Sequence, residues 1–178
     1  MTRSELEHLL RAAGSIADDK EIVVIGSQSA LGQFPNAPVV LLASMEADIF
    51  PLNRPERADL VDGSIGEGSR FHESFGYYAQ GVSERTATLP AGWQQRLVAI
   101  SNPNTSGVTG LCLEVNDLAI SKYITGREKD LLFTRALAEH GLTDQTTLSQ
   151  RLAETTIAKP LRNIVAARIA RDFGRSKF

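Results

Sequence analysis

Glu46 and Asp48 stand two residues apart in Met45-Glu46-Ala47-Asp48-Ile49-Phe50, a segment otherwise built of apolar side chains. Alternate side chains of a strand point to one face, so an extended segment here sets two carboxylates side by side. Like charges that close repel, and each makes the other harder to ionise. Such a pair is a poor core element unless a divalent cation lies between its members. Upstream, Glu21-Ile22-Val23-Val24-Ile25 is a short, mostly β-branched run that stops at Gly26-Ser27. It reads as a buried strand ending in a tight turn. Mg²⁺ takes one or two carboxylates and draws its other ligands from water and phosphate oxygens. A strand, a Gly-Ser turn into a helix and an acidic pair on the next strand therefore make the layout of a phosphoryl-transfer site.

The rest of the composition bounds this reading. At 178 residues with 42% hydrophobic side chains, the chain can bury a sizeable core as one domain with a small helical appendage. No apolar stretch approaches the ~20 residues of a membrane span, and Met-Thr-Arg-Ser-Glu-Leu-Glu-His is too polar for a secretory signal. A soluble, cytoplasmic protein without membrane contact is expected. The single cysteine, Cys112, sits between leucines and reads as a buried structural thiol. His8, His72 and His140 have no metal-ligand spacing and read as surface or helix-end residues. No Gly-x-Ser-x-Gly elbow is present, which removes the serine-hydrolase reading.

Along the chain, Ser4 and Glu7 have capping-box spacing. Leu6, Leu9, Leu10 and Ala13 follow at helical intervals, so an amphipathic helix is expected, closed by Gly14 and Asp18-Asp19. Gln28 to Gln33 reads as a short helix whose first N–H groups would favour an anion. The segment from Val39 to Ser44 fits helix and strand equally. Arg57 to Val61 suits a helix, whereas Asp62 to Ser69, with three glycines, reads as a mobile loop. Phe75 to Val82 is expected as a central strand, Arg96 to Ile100 and Thr109 to Val115 as further strands. Helices then cover Asp117 to Thr125, Glu128 to His140, the surroundings of Leu148, and the chain from Pro160. Strands first and helices after give an α+β fold: a mixed sheet flanked by helices over residues 1–115, with a helical region over 116–178 packed on it.

Charge is uneven. The net charge is −2, yet Lys159, Arg162, Arg168, Arg171, Arg175 and Lys177 face a single acid, Asp172. Such a segment is either a footprint for nucleic acid or a solvated helix face with an apolar stripe of Leu161, Ile164, Val165, Ile169 and Phe173.

Four motifs in order carry a family resemblance: Ile25-Gly26-Ser27; Glu46-Ala47-Asp48; Asp117-Leu118-Ala119-Ile120-Ser121-Lys122; and Arg127-Glu128-Lys129-Asp130. From about Glu21 to His140 the chain resembles the nucleotidyltransferase superfamily, and more narrowly the AbiEii-type toxins and a related bacterial branch. The resemblance implies a nucleotidyltransferase-like fold and a Mg²⁺- or Mn²⁺-dependent transfer of a nucleoside monophosphate from an NTP to a hydroxyl on transfer RNA or protein. It also implies a toxin–antitoxin or phage-defence setting, with a cognate antitoxin as partner. By that resemblance Glu46 and Asp48 hold the metal, Gly26, Ser27 and Lys122 the triphosphate, and Asp130 supports Lys122. If Gly126 breaks the helix, Lys122 and Asp130 can face one another; in a continuous helix they would diverge by about 80°.

The chain departs from the family in two places. Glu46 stands where members commonly carry Asp. The third acid, which would serve as metal ligand or base, is replaced by Gln80 or Tyr78, and Gln can do neither. Asp62 and Glu84 are the candidate substitutes. A degenerate, non-catalytic fold that binds nucleic acid or a partner is the alternative, followed by a small-molecule enzyme of the aminoglycoside nucleotidyltransferase kind.

Overall fold

The chain, seen in a computed structural model that describes residues 1–174, folds around a five-stranded mixed sheet. Its strands are β1 (Glu21–Val24), β2 (Glu46–Pro51), β3 (Tyr78–Gly81), β4 (Val98–Ile100) and β5 (Thr109–Cys112). They lie in the order β3-β2-β1-β5-β4. β1 is antiparallel to β2 and parallel to β5; β2 runs parallel to β3, and β4 antiparallel to β5. β1 occupies the middle and is apolar on both faces because both are covered. Ile22 and Val24 join the larger core, whereas Val23 and Ile25 join a smaller one with Phe50, Trp93, Leu113 and Leu118. A strand buried on both sides reads as a continuous apolar run rather than an alternating one.

Among the described residues seven α-helices surround the sheet: α1 (Arg3–Ala17), α2 (Ala58–Ile65), α3 (Arg70–Phe75), α4 (Val115–Thr125), α5 (Glu128–Glu139), α6 (Gln145–Ala153) and α7 (Lys159–Gly174). The fold is the expected one, a mixed sheet flanked by helices with helices at the C-terminal end. Tyr123, Leu137, Leu148, Val165 and Ile169 from α4–α7 share one core with Ile22 and Val24. No helix among them is long and apolar enough to cross a membrane. Cys112 is fully buried, and burial pushes its thiol up to about 12.

Several local expectations are corrected. The capping box of α1 is Thr2 with Glu5; Glu7 is instead bound by Arg3, Asn102 and Asn104. The helix passes through Gly14 and ends where Asp18 turns left-handed, at φ 49°. Residues 62–65 continue α2, including Gly63, so only Gly66 to Ser69 form a turn. Val61 and Ile65 on the buried face of α2 hold that extra turn in place. β3 is an edge strand, not a central one. Both short segments before β2 are 3₁₀ helices, Ser27–Gly32 and Val39–Leu41.

α7 has a further correction. Val165 and Ile169 are buried and Leu161 and Phe173 partly so, but Ile164 is 49% exposed. Its arginines are occupied within the chain. Arg162 donates to the carbonyls of Leu152 and Thr155 at the end of α6, and Arg168 to the carbonyl of Tyr123 near the end of α4. Cationic side chains at helix C-termini interact well with the carbonyls exposed there. Arg171 pairs with the buried Asp172 at 2.9 Å. Arg175 and Lys177 lie outside the described residues.

Candidate active site

β1 ends at Val24, and the backbone of Ile25 is held by the carbonyl of Asp48 at 3.0 Å. This bond draws Gly26-Ser27 against the acidic stretch of β2. A β-carbon at Gly26 would fall 2.0 Å from Asp48 Oδ2, so the carboxylate occupies the space a side chain would need. The expected short helix after the turn is the six-residue 3₁₀ helix Ser27–Gly32, in which the Ser29 N–H is already bound to the Gly26 carbonyl. The turn thus contributes close approach and the Ser27 hydroxyl rather than a helix dipole.

On β2, Ala47 and Ile49 face the larger core, and Glu46 and Asp48 share the opposite face with Phe50. Met45 beside them is 55% exposed, so the pair sits at the solvent end of the smaller core. Burial and the adjacent Glu46 carboxylate raise the Asp48 carboxyl to about 6, although Lys122 and Lys129 pull it the other way. Two carboxylates this close resist joint ionisation, and a cation between them relieves the repulsion.

The parallel pairing of β2 and β3 sets Glu46 opposite Tyr78 and Asp48 opposite Gln80. The two residues expected in place of a third acid therefore do stand beside the pair. Tyr78 donates its hydroxyl to Glu46 Oε2 at 3.2 Å, and burial with the nearby carboxylates pushes its phenol up to about 12. The His72 ring packs on Tyr78 at 4.6 Å. Gln80 is exposed. Asp62 accepts from the Gly81 N–H at 3.1 Å, and Glu84 accepts from Gln94, so neither joins the acidic pair through these bonds. Among the described residues no group of three His, Cys, Asp or Glu side chains is placed to hold a metal.

The cationic half of the site comes from α4 and α5. Gly126 ends α4 with φ 65°, a left-handed conformation natural to glycine, and Arg168 lies where its side chain would be. The break turns the chain so that Lys122 Nζ meets Asp130 Oδ1 at 3.2 Å. Arg127 completes the cluster, with Nε 2.7 Å from Asp130 Oδ2. Burial works to raise the Asp130 carboxyl, but its hydrogen bond from Arg127 and the charge of Lys122 outweigh it and hold it below the usual carboxylate range. Ser27, Lys122, Lys129 and Asp130 line one pocket of about 420 Å³.

A family model described as "Nucleotidyltransferase of unknown function (DUF6036)" matches residues 4–173. The chain belongs to this family. Comparison with curated proteins and with solved structures gave no match. All six residues singled out in the sequence fall in the part of the chain the DUF6036 model covers, and the fold joins them in two groups. Gly26, Glu46 and Asp48 form one; Ser27, Lys122 and Asp130 line the pocket beside it. Lys129, Arg127 and the Tyr78–Glu46 bond were not expected as parts of the site. Lys129 and Arg127 carry a sequence signal, since both lie between the Gly126 break and Asp130. Cross-strand register, which produces the Tyr78 contact, leaves none.

Proposed function

We propose that this DUF6036 protein is a Mg²⁺-dependent nucleotidyltransferase, moving a nucleoside monophosphate from an NTP to a hydroxyl acceptor. The observation that carries the proposal is the Asp48 carboxylate lodged against Gly26 beside Glu46, within the field of Lys122 and Lys129. Glu46 and Asp48 fit a divalent cation, because a cation between them offsets the repulsion that raises the Asp48 carboxyl. Bound there, Mg²⁺ or Mn²⁺ would offset charge on the triphosphate. The Ser27 hydroxyl, Lys122 and Lys129 would bind phosphate oxygens. Asp130 would keep Lys122 extended toward them, and Tyr78 would orient Glu46 so that its second oxygen stays free.

The acceptor would be a transfer-RNA end or a protein side chain, in the cytoplasmic setting of an AbiEii-type toxin or phage-defence system controlled by an antitoxin. Contact with a nucleic-acid acceptor would fall on Arg127, 57% exposed, and Lys129 rather than on Arg162 and Arg168, which hold main-chain carbonyls. A second reading, a non-catalytic member that binds nucleotide or partner, is favoured by one observation: Tyr78 and Gln80 occupy the positions beside the acids.

Incubation with α-labelled NTP, Mg²⁺, RNA and protein separates the two readings. Label on an acceptor, lost in Asp48→Asn and Glu46→Gln, supports the transferase. Tight NTP binding without any transfer supports the second reading.

A further inference from the structure

The pocket that holds Ser27, Lys122 and Lys129 has a second wall of different character. Val40 and Leu41 of the Val39–Leu41 segment face Leu132 and Phe133 of α5 across it. Val40 and Leu132 are 56% and 54% exposed, respectively. Lys122 Nζ lies 6.0 Å from the centre of the Phe133 ring, which joins the cationic and apolar halves. Ligand pockets of a few hundred Å³ with apolar walls and a few placed polar groups suit small molecules. An amphiphile with a polyanionic end and a flat apolar end matches this division.

The polar side chains beside the apolar wall are already committed. Both oxygens of Asp130 are taken by Lys122 and Arg127. The Ser44 hydroxyl both donates to and accepts from the backbone of Glu46, and the Ser44 carbonyl accepts from Gln28. Gln28 itself is fully buried and does not line the pocket, and its Oε1 has no hydrogen-bond partner among the described residues. Val40, Leu41, Ala43, Leu132 and Phe133 add no side-chain donor or acceptor to read the hydrogen-bonding edge of a planar ring.

We propose that the cleft between residues 39–44 and α5 holds the base and ribose of the nucleotide, and grips the base by apolar contact without reading its edge. This rests on the proposed NTP site and adds the substrate class: nucleoside triphosphates with little choice of base. Sites that hydrogen-bond a substrate edge discriminate by ~10⁴-fold or more, whereas apolar contact discriminates by ~10–200-fold.

The test measures Mg²⁺-dependent binding of ATP, GTP, CTP, UTP and inorganic tripolyphosphate to the full chain. Parent, Val40→Gln and Leu132→Gln are compared, both positions being solvent-facing enough to tolerate the change. The four NTPs should fall within about 100-fold of one another. Either substitution should weaken all four about tenfold, the scale of losing the burial of one aliphatic side chain, and leave tripolyphosphate unchanged. One NTP favoured by ~10⁴-fold, or unchanged NTP affinity in both variants while tripolyphosphate still binds, would overturn the base cleft and leave the triphosphate site standing. Failure of NTPs and tripolyphosphate alike to bind would overturn both.

Discussion

Gly26 and Asp48 share one volume: the carboxylate of Asp48 fills the place where a β-carbon on Gly26 would lie, 2.0 Å from Oδ2. The glycine is required here by a neighbour's side chain, since its own φ of −84° suits any residue. Gly26→Ala should therefore push Asp48 off its position without breaking the strand. Mg²⁺-dependent NTP affinity should fall at least about tenfold, which corresponds to ~1.4 kcal/mol, with the far-UV spectrum retained. Unchanged affinity would show that Asp48 can move freely.

The acidic pair makes the protein pH-sensitive. Asp48 titrates near 6 in the folded chain, against an ordinary value of 3.8. A raised carboxyl stabilises the fold fully below the unfolded value, and that contribution is lost as pH rises through the folded value. Asp48→Asn should accordingly be more stable than the parent at pH 8, by at most about 3 kcal/mol before solvent screening. The difference should vanish near pH 4 in urea titrations. Metal affinity should move oppositely, dropping as pH falls below about 6.

Asp130 anchors two cations while itself almost fully buried. Its carboxyl is lowered in the fold, so its contribution is present above the ordinary carboxylate value and lost as pH falls through the folded one. Asp130→Ala should cost about 1.5–3 kcal/mol at neutral pH, the usual scale for hydrogen bonds to charged groups. Lys122→Ala should instead remove NTP binding with a smaller loss of stability. Equal effects of both variants on NTP affinity and stability would deny Lys122 a separate role in binding.

Arg162 and Arg168 act as helix-end partners in this fold. Replacing either by Ala should lower stability by about 1 kcal/mol, visible as a shifted urea midpoint, and leave the salt dependence of RNA binding unchanged. A shallower salt slope at unchanged stability would transfer these residues to a nucleic-acid surface.

Gln80 stands opposite Asp48 on an exposed edge strand, where an added carboxylate meets no packing obstacle. General-base catalysis contributes ~10²–10⁴-fold, so Gln80→Asp should raise nucleotidyl transfer by about 10²-fold. A fall in activity, with NTP binding intact, would place the attacking hydroxyl elsewhere.

Much of this was legible before folding, and the reason differs from element to element. The β1 run and the C-terminal helices announce themselves by period and by breaks. The meeting of Lys122 with Asp130 follows from one local fact, that Gly126 ends a helix between them. The extension of α2 through Gly63 was hidden because two buried side chains, Val61 and Ile65, override the glycine's low helix propensity. The edge position of β3 and the Tyr78–Glu46 bond depend on strand order and register, which are properties of the whole sheet. Likewise, nothing local distinguishes an arginine that closes a neighbouring helix end, such as Arg162, from one offered to solvent.

Calorimetric titration of NTP with and without Mg²⁺ into the parent and into the Glu46→Gln, Asp48→Asn double variant tests the central claim most directly. The account predicts binding that requires Mg²⁺ in the parent and is lost in the double variant, which keeps its fold because both amides preserve shape. Equal NTP affinity in parent and variant with Mg²⁺ present would contradict it.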